Sequence, residues 1–328
     1  MRLKREWLLL LGSLLVVAAL YNHYLGHSAY LVEIILVSAG ILLALLSLRA
    51  PSTADKAARE GLLVTLLSRW MSKDRYTILI PFAGFLIIAS WSIWKLFLVG
   101  DASMRMEDFL VPLLGLALIV YDATPSKYAD AKDFSVLYLA FMVITFAVIW
   151  KLYAIVSGDS YFRINAYSEY YLITIPVTGI LSIIGVPARA ELDLSGHGLS
   201  NTIIYDHHGS QLVVGIGSGC SGLYAAGLFF SAFMAFVLVR YRRVDARIGL
   251  GLGLGFLLTW IANILRMVIT VYVGHLYGSP ALAFVHSYIG VVVFVVLITA
   301  FWVLIVRWLD KGAASPRKDA EAASQNSI

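Results

Sequence analysis

Three residues of this chain have side chains that could together perform acyl transfer: Cys220, Arg266 and His286. A thiolate attacks a carbonyl carbon, and an imidazole within reach can take up the proton and return it. A guanidinium is a poor proton donor, but it stabilises the oxyanion of a tetrahedral intermediate. Arg266 lies inside an apolar stretch and His286 near the start of another, where an ionisable residue is costly and is a functional candidate by default.

Each of the three residues also has a plainer interpretation. A single cysteine is usually a small buried apolar side chain. An arginine in an apolar stretch can be paired for packing or can extend its head group to the interface. A histidine at a helix end can simply have its hydrogen bonds satisfied. The functional hypothesis therefore depends on the three residues lying together.

The sequence around the cysteine favours a reactive thiol. The run Gly219-Cys220-Ser221-Gly222 directly precedes a long apolar run, which predicts that Cys220 lies at the N-terminus of a helix. Unpaired N–H groups and the positive end of the helix dipole stabilise a thiolate and an oxyanion there. The glycines allow close approach, and the Ser221 hydroxyl could help to cap the helix.

The composition indicates that these residues are positioned by a membrane protein. Of 328 residues, 60% are hydrophobic and 14% charged, with a mean hydropathy of +0.83. These values exclude an ordinary soluble enzyme, a nucleic-acid-binding protein and a disordered protein. The net charge of +5 arises from short basic clusters between apolar runs, which are typical of topology signals. The single cysteine excludes an intrachain disulfide, and no metal-ligand spacing or cofactor motif is present.

Nine apolar runs are long enough, or nearly so, to form membrane-associated helices. They are Trp7–Tyr24, Ala29–Leu48, Tyr76–Val99, Phe109–Tyr121, Phe134–Val156, Tyr171–Gly185, Gly222–Val239, Ile248–Gly274 and Leu282–Val306.

Loop charge predicts the orientation of these runs. The basic loops Arg49–Arg75, Arg240–Arg247 and Arg307–Lys318 belong in the cytoplasm. Counting crossings from either terminus places both Ser157–Tyr170 and the stretch before Gly222 outside. Both placements hold only if the sixth run, Tyr171–Gly185, does not cross the membrane. This run is short and contains Pro and Gly, so it is predicted to be an interfacial or re-entrant helix. The sequence thus predicts an all-α polytopic protein with about eight transmembrane helices and both termini in the cytoplasm.

A small β-hairpin is predicted on the extracytoplasmic surface. Thr202–Tyr205 and Gln211–Ile216 are strand-like, and Asp206–Ser210 has turn residues. His207 and His208 lie on this turn, and a solvated turn is favoured over a metal site because no carboxylate-rich ligand set accompanies them.

The three candidate residues are expected at the same depth in the membrane. Cys220, Arg266 and His286 are each about 20 residues from the basic end of their own helix, or roughly 30 Å at 1.5 Å per residue. They can therefore share one plane at the outer face of the membrane. Asn263, one turn before Arg266 on the same helix face, could orient the guanidinium.

The chain is interpreted as three regions. Residues 1–156 form an N-terminal region of five spans, residues 157–312 form the catalytic region, and residues 313–328 are predicted to be a disordered cytoplasmic tail because they are polar and rich in Ala and Ser.

The motifs resemble those of the exosortase/archaeosortase family, which are multi-pass membrane cysteine transpeptidases analogous to sortases. The resemblance covers roughly Ser182–Val306 and rests on Gly219-Cys220-Ser221-Gly222, on Asn263-Ile264-Leu265-Arg266 and on His286. It implies that Cys220 forms an acyl-thioester. It also implies that Arg266 is the family's catalytic arginine, described as a proton donor, and that His286 stabilises the transition state.

The resemblance also implies the partners of the protein. Family substrates are secreted proteins that end in a recognition motif, a spanning helix and a basic cluster. With the basic end in the cytoplasm, the motif would lie at the outer face beside Cys220. The acyl-enzyme would be resolved by an amine acceptor such as a membrane lipid, or by water.

Two other classes of protein are compatible with parts of the pattern. A rhomboid-like serine intramembrane protease would use Ser221 and His286, but the usual His-x-x-Gly spacing is one residue too long here, and Arg266 has no role. A transporter or lipid-binding membrane protein would explain Arg266 as a ligand site. Such proteins have their functional polar residues near the bilayer midplane, whereas these residues are predicted near the outer face.

Overall fold

The computed structural model describes residues 5–24, 30–47, 61–99, 107–149, 152, 155–156, 161–194, 200–217, 222–289 and 295–311. Most of this part of the chain is helical, with one small sheet. Four of the described helices are long and apolar enough to cross a membrane: Arg75–Phe97, Ala129–Ile149, Leu223–Tyr241 and Ala246–Tyr277. The protein is therefore a multi-pass membrane protein, and the number of eight crossings stays a prediction.

The first of two compact units comprises Met1–Ile149 and Ser231–Arg243. Its helices are α1 (Arg5–Tyr24), α2 (Tyr30–Ser47), α3 (Leu62–Ser68), α4 (Lys73–Trp94), α5 (Glu107–Ile119) and α6 (Ala129–Val143). Helices α4 and α6 continue as π-helical stretches, Lys95–Val99 and Ile144–Ile149.

Helices α4 and α5 approach each other closely at two glycines. A Cβ on Gly115 would lie 2.6 Å from the carbonyl oxygen of Gly84, so neither position has room for a side chain. Small residues at such contacts are typical of helix pairs in lipid, where van der Waals packing drives association.

The short helix α3 lies in the segment that the sequence predicted to be a basic loop. The carboxylate of Asp133 accepts hydrogen bonds from the Leu62 backbone N–H and from the Tyr121 hydroxyl. The side chain of Asp133 is 1% exposed. A carboxylate at a helix N-terminus satisfies an otherwise unpaired N–H and complements the helix dipole. This partner comes from a distant part of the chain, so the local sequence could not reveal the helix.

The second unit comprises Trp150–Phe230 and Val244–Ile328, so that helix α9 (Leu223–Tyr241) is shared between the two units. The remaining elements of this unit are α7 (Tyr161–Glu169), α8 (Ile175–Ile183), β1 (Ala188–Leu192), β2 (Asn201–His207), β3 (Ser210–Ile216), α10 (Ala246–Tyr277), α11 (Ser279–Phe284) and α12, which spans residues 295–311. The stretches Tyr170–Thr174 and Val285–Ile289 are π-helical.

The predicted loop Ser157–Tyr170 is wrong over most of its length, because α7 is a helix. It continues through the π-helical stretch into α8, so the sixth run begins as a helix at Tyr161 instead of Tyr171. The error arose because α7 is polar and lacks the apolar periodicity that predicts a helix. The combined segment is not among the four candidate spans.

The predicted hairpin is present, and a third strand extends it. Strands β2 and β3 pair antiparallel, and β1 pairs antiparallel with the other edge of β2. His208 and Gly209 form the turn with φ angles of 51° and 84°, as a two-residue hairpin turn requires. The sheet packs its buried residues Ile203, Tyr205 and Ile216 in one core with residues of α8 and α10.

The turn residue His208 is exposed, as expected for a solvated turn, whereas His207 is the last residue of β2 and is partly buried. Nδ1 of His207 lies 2.7 Å from the backbone carbonyl oxygen of His275, and Nδ1 of His275 in turn contacts the carbonyl oxygen of Asp206. The turn packs over the last turn of α10, where carbonyl groups lack intrahelical partners. These reciprocal contacts attach the hairpin to the end of the helix.

Candidate active site

Helix α10 carries two of the candidate residues on one face. Its N-terminus is capped by Asp245, whose carboxylate accepts the Ile248 N–H at 3.0 Å. Asn263 is 3% exposed, and Arg266 follows it by three residues, so both side chains leave the helix on the same side. Nε of Arg266 is inaccessible to solvent. An arginine held this way is costly in an apolar helix unless its surroundings compensate its charge.

His286 lies in the π-helical stretch that follows α11. The chain reverses at Gly278, whose φ of 81° is left-handed, and Val285–Ile289 then packs against α10. His286 is half-buried, and its imidazole lies near enough to the cationic side chain of Arg266 for the two groups to influence each other electrostatically. The fold therefore brings these two predicted site residues into electrostatic range of each other.

Gly222 connects the cysteine segment to the same helix. It has a φ of 76°, and a Cβ on it would lie 3.0 Å from both Cγ and Nδ2 of Asn263. Glycine is needed here for its left-handed conformation and for this close contact. The other predicted residues of the segment, Gly219, Cys220 and Ser221, lie outside the described residues.

A buried polar pair in this unit was missed by the sequence analysis. Nδ2 of Asn201 donates hydrogen bonds to Oε2 of Glu169 and to the carbonyl oxygen of Ala166, both at 3.0 Å. Glu169 is 2% exposed and Asn201 is fully buried. Asn201 pairs with Ile216, the last residue of β3. The pair therefore fixes α7 to the end of the sheet from which the chain leaves toward Gly222. The signal in the sequence that could have revealed this pair is Glu169, a carboxylate directly before the sixth apolar run.

Helix α10 is also tied to the preceding helical segment. Nε1 of Trp260 donates a hydrogen bond of 2.8 Å to the carbonyl oxygen of Leu172, in the π-helical stretch. Trp260 lies a little under two helical turns before Arg266. Tyr205 of the sheet is nearly fully buried, and burial raises the pKa of its phenol above the ordinary value. Its hydroxyl therefore stays protonated near pH 7.

A metal-dependent reaction has no ligand set in the part of the chain that the structure describes, since no three His, Cys, Asp or Glu residues cluster there. The polar groups that do converge are an amide, a guanidinium and an imidazole. Such groups bind and stabilise negative charge on oxygen.

A family model of the transmembrane exosortases (Exosortase_EpsH) matches residues 60–303, about three quarters of the chain. The chain belongs to this family, which acts on secreted proteins with a C-terminal sorting signal and is associated with transpeptidase activity. No curated protein and no solved structure matches the chain. The resemblance predicted from the motifs is confirmed, and its extent is corrected: the match begins well before Ser182 and includes α3 to α6.

Proposed function

We propose that the protein is a membrane-embedded cysteine transpeptidase that removes the C-terminal sorting signal of secreted proteins. The contact between Gly222 and Asn263 carries the proposal, because it joins the cysteine segment to the helix that presents Arg266. Two residues of chain span at most about 7 Å. Cys220 precedes Gly222 by two residues, and we therefore propose that its thiol lies near Asn263.

Each group has a defined role in the proposed reaction. The Cys220 thiolate attacks the carbonyl carbon of the scissile peptide bond, and Arg266 stabilises the resulting oxyanion. His286 takes the thiol proton and returns it to the leaving amine as the C–N bond breaks, which leaves an acyl-thioester. An amine acceptor or water then attacks the thioester and regenerates the thiol. Asn263 holds the guanidinium in position.

We propose further that the reaction takes place at the extracytoplasmic face of the cell membrane. The common depth of the three residues above the basic loops supports this placement. The spanning helix of the substrate would lie in the bilayer with its basic end in the cytoplasm. The recognition motif would then reach the plane of Cys220.

Alanine variants of the two adjacent nucleophile types test the proposal. The substrate is a co-expressed secreted protein with the three-part C-terminal tail, and processing is followed by its change in mass. Cys220→Ala should abolish processing, because no other thiol is present. Ser221→Ala is the matched control and should retain substantial activity, since it loses only a hydroxyl that could help to cap the helix.

The same experiment separates the cysteine mechanism from a serine mechanism. Full processing by Cys220→Ala would exclude thiol catalysis. Loss of processing in Ser221→Ala alone would identify a rhomboid-like serine protease that uses Ser221 and His286.

A further inference from the structure

An apolar groove of about 560 Å³ lies between α10 and α12, and none of the candidate site residues lines it. Aliphatic side chains of α10, from Leu254 to Ile261, line one wall. The other wall is formed by α12 and includes Ala300, Phe301 and Trp308. No polar residue except the indole of Trp308 lines it. Such a groove in a membrane protein fits a hydrocarbon chain, and the charges at its end identify the kind of lipid.

One end of the groove carries basic residues on both helices. Arg247 precedes Leu254 by seven residues, which is two helical turns, so it continues the lining face of α10. Lys311 follows Trp308 by three residues and continues the lining face of α12. Both side chains belong to exposed residues. Arg247 precedes the first lining residue of α10 and Lys311 follows the last lining residue of α12, so on two helices that run in opposite directions both extend the same end of the groove.

The acidic residues nearby do not cancel this charge at the groove. Asp245 directs its carboxylate to the N-terminus of its own helix, where it accepts the Ile248 N–H. Asp310 lies about 160° around α12 from Trp308, since consecutive helical residues are about 100° apart. The groove therefore ends at an indole and two cations.

We propose that this groove binds an anionic phospholipid. One acyl chain lies along the apolar wall, the Trp308 indole lies at the level of the headgroup boundary, and the phosphate lies between Arg247 and Lys311. Tryptophan is enriched at that boundary, and basic pockets between membrane helices bind anionic headgroups. The lipid would hold α12 against α10 and so help to keep the His286 segment next to Arg266.

The spanning helix of a substrate fits this groove less well than a lipid. A helix is 10–12 Å across, so three turns occupy roughly 1,300 Å³ or more. The sorting signal in the proposed function also ends in a basic cluster, which Arg247 and Lys311 would repel. The argument against this occupant rests on the proposed function, whereas the argument for the lipid does not.

Lipid binding to the purified full-length protein tests the proposal without any activity measurement. Native mass spectrometry would measure occupancy by phosphatidylglycerol and by phosphatidylcholine with the same acyl chains. We expect phosphatidylglycerol to bind about 25-fold more tightly, since two basic residues near a headgroup each contribute about fivefold. The double variant Arg247→Gln/Lys311→Gln should lose this preference. The charge-matched control Arg163→Gln/Arg189→Gln, at exposed positions of α7 and β1, should keep it.

A second variant tests the apolar wall. Ala300→Trp fills the groove at an exposed position and should reduce binding of both lipids. Equal binding of the two lipids by the wild-type protein, or full preference in the double glutamine variant, would overturn the proposal. Unchanged lipid binding by Ala300→Trp, with loss of co-purifying tail-bearing substrate, would assign the groove to the substrate helix instead. A protein that binds the lipid but processes no substrate would contradict only the proposed function.

Discussion

At the scale of residues, the site combines a guanidinium and an imidazole that interact with each other and an amide that is fully packed. Asn263 is buried against Gly222, so its position is fixed by the backbone of the cysteine segment. Asn263 in turn lies one turn from Arg266. An arrangement fixed on both sides in this way can stabilise charge without reorganising during the reaction.

Replacing Arg266 by lysine tests whether the planar guanidinium is needed. We expect Arg266→Lys to lower the rate of processing by roughly 100-fold or more, because one ammonium group cannot reproduce the geometry of the fork. Processing rate and protein amount should be measured together, with Arg163→Lys at an exposed position of α7 as the control. A variant that fails to accumulate would show that Arg266 is needed for packing, and one with normal turnover would show that it has no role in catalysis.

The sequence predicted the individual reactive groups better than their surroundings. Arg266 and His286 could be identified because ionisable side chains are rare in apolar runs, and depth alone placed them at one level. The hydrogen bonds between Asn201 and Glu169 could not be predicted, since they join a strand to a helix 32 residues earlier. Nothing local to Gly222 indicated its contact with Asn263.

At the scale of elements, α10 is the helix around which the second unit is organised. The sheet, α8 and the His286 segment all pack against it. Nearer the N-terminus of α10, the ring of Phe229 from α9 packs edge-to-face against two other rings. Its centroid lies 5.9 Å from that of Phe256 and 5.5 Å from that of Phe301 in α12. The backbone of α10 reaches this ring only because residue 255 is glycine.

Two glycines of α10 allow a matched test of that contact. A Cβ on Gly255 would overlap the ring of Phe229, whereas a Cβ on Gly253 would meet nothing within 4 Å. We expect Gly255→Ala to destabilise the protein by about 1–3 kcal/mol through overpacking. Gly253→Ala should be neutral or stabilising by up to about 1 kcal/mol, because alanine is the better helix former. Thermal unfolding in detergent measures both, and an equal effect of the two substitutions would contradict the proposed packing.

Helices and strands could be predicted from the sequence where the apolar residues form long runs or alternate with polar ones. The apolar runs correspond to helices, and the alternating run with turn residues at Asp206–Ser210 corresponds to the hairpin. Helices α3 and α7 do not follow such a pattern. Each is held by a polar contact from a residue distant in the chain, Asp133 or Asn201. Strand β1 was missed because it is short and gains its hydrogen bonds only from β2.

At the scale of the whole molecule, the predicted orientation in the membrane places the hairpin and the connection after α5 on opposite sides of the bilayer. A cysteine at Ser210, an exposed position of the hairpin, should react with a membrane-impermeant thiol reagent in intact cells. The substitution is made in the Cys220→Ala protein so that it is the only thiol. A cysteine at Lys127, an exposed residue after the fourth apolar run, should react only after permeabilisation, because four crossings from a cytoplasmic N-terminus return the chain to the cytoplasm. The opposite pattern at the two positions would reverse the predicted topology.

The contact between Asp133 and Leu62 has a consequence for biogenesis. The carboxylate is synthesised 71 residues after the amide that it accepts, and the chain makes α4 and α5 in the interval. Because the contact joins the connections on either side of these two helices, both connections lie on the same side of the bilayer. The chain therefore crosses an even number of times between them. On the predicted topology, in which α4 and α5 both cross the membrane, the carboxylate of Asp133 can reach the Leu62 amide only after this helical hairpin has been inserted.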